Sequence, residues 1–121
     1  YVIGEHGNSQ FVAWSKVSIA TQALNKILDE KSFDQIEEAA RMKGFEIIQG
    51  KGYTSYGIAN AATIIVETIF NDSKTILPVS SYSSEAGCYI GHPAVVGRQG
   101  IIRDFHLELD EKEQEKWNHS V

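Results

Sequence analysis

One cysteine, Cys88, stands alone in 121 residues, so an internal disulfide is excluded and the chain reads as suited to a reducing, cytoplasmic compartment. No signal-peptide pattern opens it. No apolar run longer than stretches such as Ala61-Ala62-Thr63-Ile64-Ile65-Val66 occurs, far short of the ~20 residues a membrane helix needs, so no membrane span is expected. Basic residues are in the minority, and a formal net charge of −5 supplies no field to attract phosphate backbones, so nucleic acid is not an expected partner. No Gly-x-Gly-x-x-Gly follows a strand, so the pyrophosphate-binding turn of a dinucleotide fold is missing from these residues. Only two prolines, Pro78 and Pro93, interrupt the pattern, and both fall in strand-like runs.

What is present fits one globular domain over residues 1–121: 42% of residues are hydrophobic and 22% charged, and a chain of this length buries roughly two-thirds of its unfolded surface. The run Phe11 to Ile19, aromatic and β-branched, predicts extended structure, and the charged Asp29-Glu30-Lys31 reads as a solvated connection. Ser32-Phe33-Asp34-Gln35 matches a capping box that would start a helix. Its inward stripe is expected to be Phe33, Ile36, Ala40, Ile47 and Ile48, with Gly44 as a vacancy that calls for either a tight helix crossing or ligand approach. Gly50-Lys51-Gly52 should break that helix, and Thr54 or Ser55 could cap a second from about Tyr56 to Asn71. That second helix is so apolar that it is expected at the centre of the domain. Thr75 to Tyr82 and Cys88 to Val96 predict strands, with Pro78 and Pro93 each pointing to an edge or a strand start. Ile101 to Leu109 alternates as a third, and Asp110-Glu111-Lys112-Glu113 begins a last helix running through Trp117. Segregated helices and strands of this kind indicate an α+β fold with antiparallel strands and long buried helices.

Two stretches carry chemistry. In Gly4-Glu5-His6-Gly7-Asn8-Ser9 a histidine lies between glycines at the end of a strand-like run, where its ring can face a ligand. An imidazole, with an unperturbed pKa of about 6.5, exchanges protons near neutral pH, although a histidine in such a turn can also be a simple polar loop residue. This segment, extended through Gln10-Phe11-Val12-Ala13-Trp14-Ser15, resembles the active-site histidine segment of the L-2-hydroxy-acid dehydrogenases, the lactate and malate dehydrogenase family. Lys51-Gly52-Tyr53-Thr54-Ser55-Tyr56-Gly57 resembles that family's substrate-threonine segment, and weaker similarity continues from Pro93-Ala94-Val95-Val96-Gly97 to the end. Asn8-Ser9-Gln10-Phe11 is closest to the L-2-hydroxyisocaproate dehydrogenase type, where lactate dehydrogenases usually have aspartate in place of Asn8.

The resemblance implies the C-terminal substrate and catalytic domain, preceded in the family by a nucleotide-binding half. A start at Tyr1, inside an apolar run, agrees with that expectation. It implies that His6 is the proton donor and acceptor, that Thr54 lies beside a small 2-oxo or 2-hydroxy acid, and that Ile58 is an apolar wall for the nicotinamide of NAD. It also implies a homo-oligomer, tetramer or dimer. Thr54 could instead be only a helix cap, and Ile58 only core packing. Gly44, ten residues before Thr54, would leave room for a branched substrate tail, since lactate-specific members carry methyl-bearing side chains in this region. The arginines that grip the substrate carboxylate and the aspartate that orients the histidine belong in the family to the other half, and Arg41, Arg98 and Arg103 fall in no matching motif. The 121 residues alone are therefore expected to be inactive, and a non-catalytic packing or oligomerisation module is the alternative. Cys88 and His92, four apart on a strand, share a face but lack a second ligand pair, so no metal site is expected.

Overall fold

The computed structural model describes all 121 residues, Tyr1–Val121. In chain order the elements are β1 (Val2–Ile3), β2 (Phe11–Val12), β3 (Ser18–Ile19), β4 (Gln22–Ala23), α1 (Glu30–Lys51), α2 (Tyr56–Phe70), β5 (Thr75–Ser83), β6 (Cys88–Gly97), β7 (Gly100–Asp104) and α3 (Glu111–Ser120). Single 3₁₀ turns occupy Trp14–Lys16 and Leu24–Lys26. β1 pairs with β2, β3 with β4, and β5, β6 and β7 form a three-stranded sheet with β6 in the middle; all pairings are antiparallel. The expected α+β architecture is therefore present.

The buried centre is small and lies at one end. Ile3, Phe11 and Ala13 form a cluster against which Leu107, Leu109 and Trp117 pack, so the first strands, the segment after β7 and α3 share one core. The alternation expected through Leu109 is cut short: β7 ends at Asp104, and Leu107 and Leu109 reach the core from irregular backbone. Ile90, Ala94 and Val96 bury one face of β6. Pro78 is on the edge strand β5, but Pro93 is in the central strand rather than at an edge or start, directly opposite Pro78. Its missing N–H falls where the β6–β7 ladder runs out, just beyond the Ala94–Asp104 pair.

The two long helices depart most from expectation. α1 begins earlier than Ser32: Asp29 is the cap, accepting from the Ser32 amide at 2.8 Å and from the Ser32 hydroxyl at 2.6 Å. These bonds hold the Asp29 carboxyl below the usual carboxylate range, the Ser32 side chain being the larger cause. The inward face of α1 is Phe33, Glu37 and Arg41, four residues apart, while Ile36, Ala40, Ile47 and Ile48 point away from the chain. Polar anchors set this rotation: Glu37 accepts from the Trp14 indole at 3.1 Å and the Val12 amide at 3.3 Å and pairs with Lys116, and Trp14 stacks on Phe33 with ring centroids 4.5 Å apart. The same contacts interrupt the extended run expected from Phe11 to Ile19. Gly52 ends α1 in the left-handed region at φ +84°, where its amide bonds the Ile48 carbonyl. α2 is not buried at the centre: Thr68 is its one buried residue, Ile65 and Ile69 are half-buried, and α2 packs against β6 along that side only.

Candidate active site

The histidine loop leaves β1 at Gly4 and is fixed from several directions. Gly4 and Gly91 exchange two backbone hydrogen bonds, each 2.9 Å, which fasten the loop to the central strand β6. Gly91 tolerates no side chain here, because a Cβ would lie 2.9 Å from the Gly4 carbonyl. Gly4 itself has φ +100°, a backbone state that glycine adopts without cost. The Gly7 amide turns back to the Glu5 carbonyl at 3.1 Å, and the Ser9 amide donates to the Glu5 carboxylate at 3.3 Å. Hydrogen bonds from Ser9, its side chain first and its amide second, hold the Glu5 carboxyl below the usual range. From α1, Arg41 donates to the Asn8 carbonyl at 2.9 Å while pairing with Glu38. From α3, Ser120 accepts the Glu5 amide at 2.8 Å.

His6 sits exposed on this braced turn and lines an open hollow of about 420 Å³, whose other walls include Gln10, Pro78, Val79 and Tyr89. The turn thus presents an imidazole to solvent space from a backbone whose Gly4, Glu5, Gly7 and Ser9 amides are engaged, an arrangement suited to proton transfer.

The other three expected site residues are on the helical arm. Thr54 is exposed in the turn between α1 and α2, and the helix cap position is taken by Ser55, with no side-chain cap bond from either residue. Ile58, one turn into α2, is 65% exposed, so it is not core packing within this chain. Gly44 faces open space: a Cβ there meets nothing within 4 Å. The tight helix crossing weighed for Gly44 is therefore absent, because the apolar side of α1 has no neighbour in these 121 residues. None of Gly44, Thr54 and Ile58 lines the hollow beside His6.

His92 lies on β6 four residues after Cys88, as its spacing implied, and its ring is held by neighbours on the sheet. Its ring is buried, with Nδ1 3.0 Å from the Ile90 carbonyl and Nε2 2.9 Å from the Ser81 hydroxyl. A carbonyl only accepts, so Nδ1 carries a proton and donates to Ile90, while Nε2 shares a hydrogen bond with Ser81 and lies 3.8 Å from the Asp104 carboxylate. No group of three or more His, Cys, Asp or Glu side chains gathers to hold a metal ion.

Sequence reading missed Arg41, Gly91, Glu37 and Ser120 as supports of the histidine loop and the segment after it. Local pattern carries no signal for contacts made across so many residues, and only the unusual pair of flanking glycines, Gly4 and Gly7, hinted that the backbone there is approached closely.

The lactate/malate dehydrogenase α/β C-terminal domain model matches residues 1–121. An L-lactate dehydrogenase of Streptococcus equinus is 37% identical over 132 residues, covering 100% of this chain and 40% of that protein. L-lactate dehydrogenase 2 of Bacillus cereus is 36% identical, covering 100% of this chain and 42% of its own length. Among solved structures, a lactate dehydrogenase from a Medee basin deep-sea metagenome library superposes with a TM-score of 0.91 at 34% identity, and the malate dehydrogenase of Aeropyrum pernix with 0.89 at 32%. Each superposition covers 99% of this chain and 42% of the other. The chain thus spans about 40% of the length of the curated relatives it matches. With sequence and fold agreeing over its whole length, the chain belongs to the lactate/malate dehydrogenase family and has the fold of that family's C-terminal domain.

Proposed function

We propose that these residues are the C-terminal substrate and catalytic domain of an NAD-dependent L-2-hydroxy-acid dehydrogenase of the lactate type, in which His6 moves the substrate proton. The observation that carries this reading is the braced turn that displays His6 over an open hollow. In the reductive direction, C2 of a 2-oxo acid gains a hydride from NADH and its oxygen gains a proton from the His6 imidazolium; oxidation runs in reverse. A protonated ring beside that oxygen stabilises the negative charge as it develops, and the braced loop fixes the point of the backbone from which the ring is carried. Thr54 is assigned to the substrate and Ile58 to one face of the nicotinamide. Their exposure supports this, since both are open to a partner surface and neither is consumed by packing. The cofactor's phosphates have no glycine-rich turn to sit on here, so NAD would be held mainly by another part of the full-length protein.

Gly44 and the Asn8-Ser9-Gln10-Phe11 wording support the hydroxyisocaproate type, with a preference for bulkier 2-oxo acids. The open space around Gly44 is compatible with a substrate tail or with a covering segment. A cytoplasmic homo-oligomer acting on small acids belongs to the same reading through the resemblance to the family, and the single cysteine is compatible with a reducing compartment. The second reading, a packing or oligomerisation module, draws on the exposed apolar sides of α1 and α2. The two are separated by mass: a polypeptide near 13.4 kDa in solution favours the module, one more than twice that size the dehydrogenase.

The decisive experiment is His6→Asn in the full-length protein. The expected loss is on the order of 10²–10⁴ in kcat, the usual worth of a positioned acid or base, with NADH affinity little changed. Wild-type kcat in that variant would remove His6 from the mechanism. The 121-residue chain alone should not turn over NADH with pyruvate or 2-oxoisocaproate, and measurable turnover would defeat that part of the proposal.

A further inference from the structure

We infer that Ser120, at the C-terminal end of α3, is a positioning residue for His6. The inference rests on the reading of His6 as the proton donor. Ser120 is buried, and its hydroxyl oxygen lies 2.8 Å from the amide nitrogen of Glu5, the residue immediately before His6, across 115 positions of sequence. The Ser9 hydroxyl, on the far side of the loop, is 3.1 Å from the same oxygen. One side chain therefore touches both limbs of the turn that carries the imidazole.

The fit of this oxygen is specific. A Cβ on residue 4 would stand 2.5 Å from the Ser120 hydroxyl oxygen, so a glycine at position 4 is what leaves the hydroxyl its place. Gly4 is at the same time held to β6 by its two bonds with Gly91. The peptide entering His6 is thus clamped between the central strand on one side and the end of α3 on the other. The remaining loop bonds, Gly7 to the Glu5 carbonyl and Ser9 to the Glu5 carboxylate, are internal to the turn and move with it. Beyond the β1–β2 pairing at its base, Ser120 and Gly91 refer the turn to the rest of the fold, with Arg41 adding an exposed contact at Asn8. α3 is itself anchored: Glu113 caps its first turn with Asp110 and grips Ser15 at 2.8 Å (amide) and 2.5 Å (hydroxyl), so the helix is a fixed reference for its last residue. Removing the hydroxyl leaves the Glu5 amide opposite a methyl group and frees the turn to drift, and a displacement near 1 Å at a reacting group is enough to cost up to about a hundredfold in rate.

The test uses the full-length protein with Ser120→Ala, Ser120→Thr and His6→Asn. Ser120→Ala should lower kcat about tenfold and displace the pH profile of kcat, with KM for NADH unchanged. Ser120→Thr, which keeps the oxygen, should stay within about threefold of wild type. A folded Ser120→Ala variant with the wild-type kcat and pH profile would overturn the assignment. Should the alanine variant not fold, Ser120→Cys, similar in size but a weak acceptor, is compared with Ser120→Thr. A slower cysteine variant supports positioning through the oxygen, and equal rates refute it. His6→Asn separates the two claims: if it keeps wild-type kcat, the proton-donor reading fails, whereas an inactive His6→Asn beside an unaltered Ser120→Ala rejects only the role of Ser120.

Discussion

Phe11 and Phe70 are the same side chain in opposite circumstances, the first 1% exposed beneath the histidine loop and the second 77% exposed at the end of α2. The contrast extends to their surroundings. Around Phe11, strands β1 and β2, the segment after β7 and α3 close on one another, and the carboxylates of Glu37 and Glu113 are satisfied by amides, an indole and a hydroxyl. Along α1 and α2 the apolar side chains Ile36, Phe45, Ile48, Ile58, Ile64 and Val66 remain open. The candidate site divides along the same line, with His6 on the packed part and Gly44, Thr54 and Ile58 on the open arm. Apolar periodicity is a statement that a helix has a face to cover, and it does not say which polypeptide segment covers it.

That division can be broken by deleting the same group on each side. Phe11→Ala should destabilise the 121-residue chain by about 3–5 kcal/mol, whereas Phe70→Ala should stay within about 0.5 kcal/mol, both read from urea unfolding midpoints. Comparable losses would mean that α2 is packed in solution. A smaller effect belongs to the start of α1: Asp29→Ala should lower the urea midpoint by much less than Phe11→Ala does, with helicity lost from the uncapped first turn. Because the Asp29 carboxyl is held below its usual value, its contribution is present above about pH 4 and is lost as pH falls through the lowered value. The Asp29→Ala deficit should therefore shrink on acidification; a deficit independent of pH would assign it to something other than the cap. Smallest is Gly44→Ala, which adds a methyl group in open space and should stabilise the chain by about 0.5–1 kcal/mol through helix propensity. In the full-length protein the same change should lower kcat/KM for 2-oxoisocaproate relative to pyruvate, by an amount on the scale of one methylene, roughly 1–3 kcal/mol. An unchanged ratio would return Gly44 to a purely helical role.

Legibility followed the range of the interactions. The β5–β6–β7 sheet and the Asp110 cap could be read because alternation and capping are local, and the stop at Gly52 because a left-handed residue favours glycine. The start of α1 was displaced by three residues because Asp29 and Ser32 are both competent caps, and Ser32 is instead drawn in as a donor to Asp29. The rotation of α1 was not readable, since it is set by Glu37 meeting Trp14 and Arg41 meeting Asn8, contacts 23 and 33 positions apart. His6 stood out through its glycine neighbours. The residues that hold its loop, in β6, α1 and α3, are ordinary by pattern and acquire meaning only when the chain ends are brought together.

The reciprocal bonding of Gly4 and Gly91 also makes the histidine loop observable without any substrate. Both amides are engaged, so neither can trade its hydrogen for deuterium until β1 separates from β6. The exchange rate at Gly4 is then a clock for how often the histidine turn comes away from the sheet, two residues from the imidazole itself.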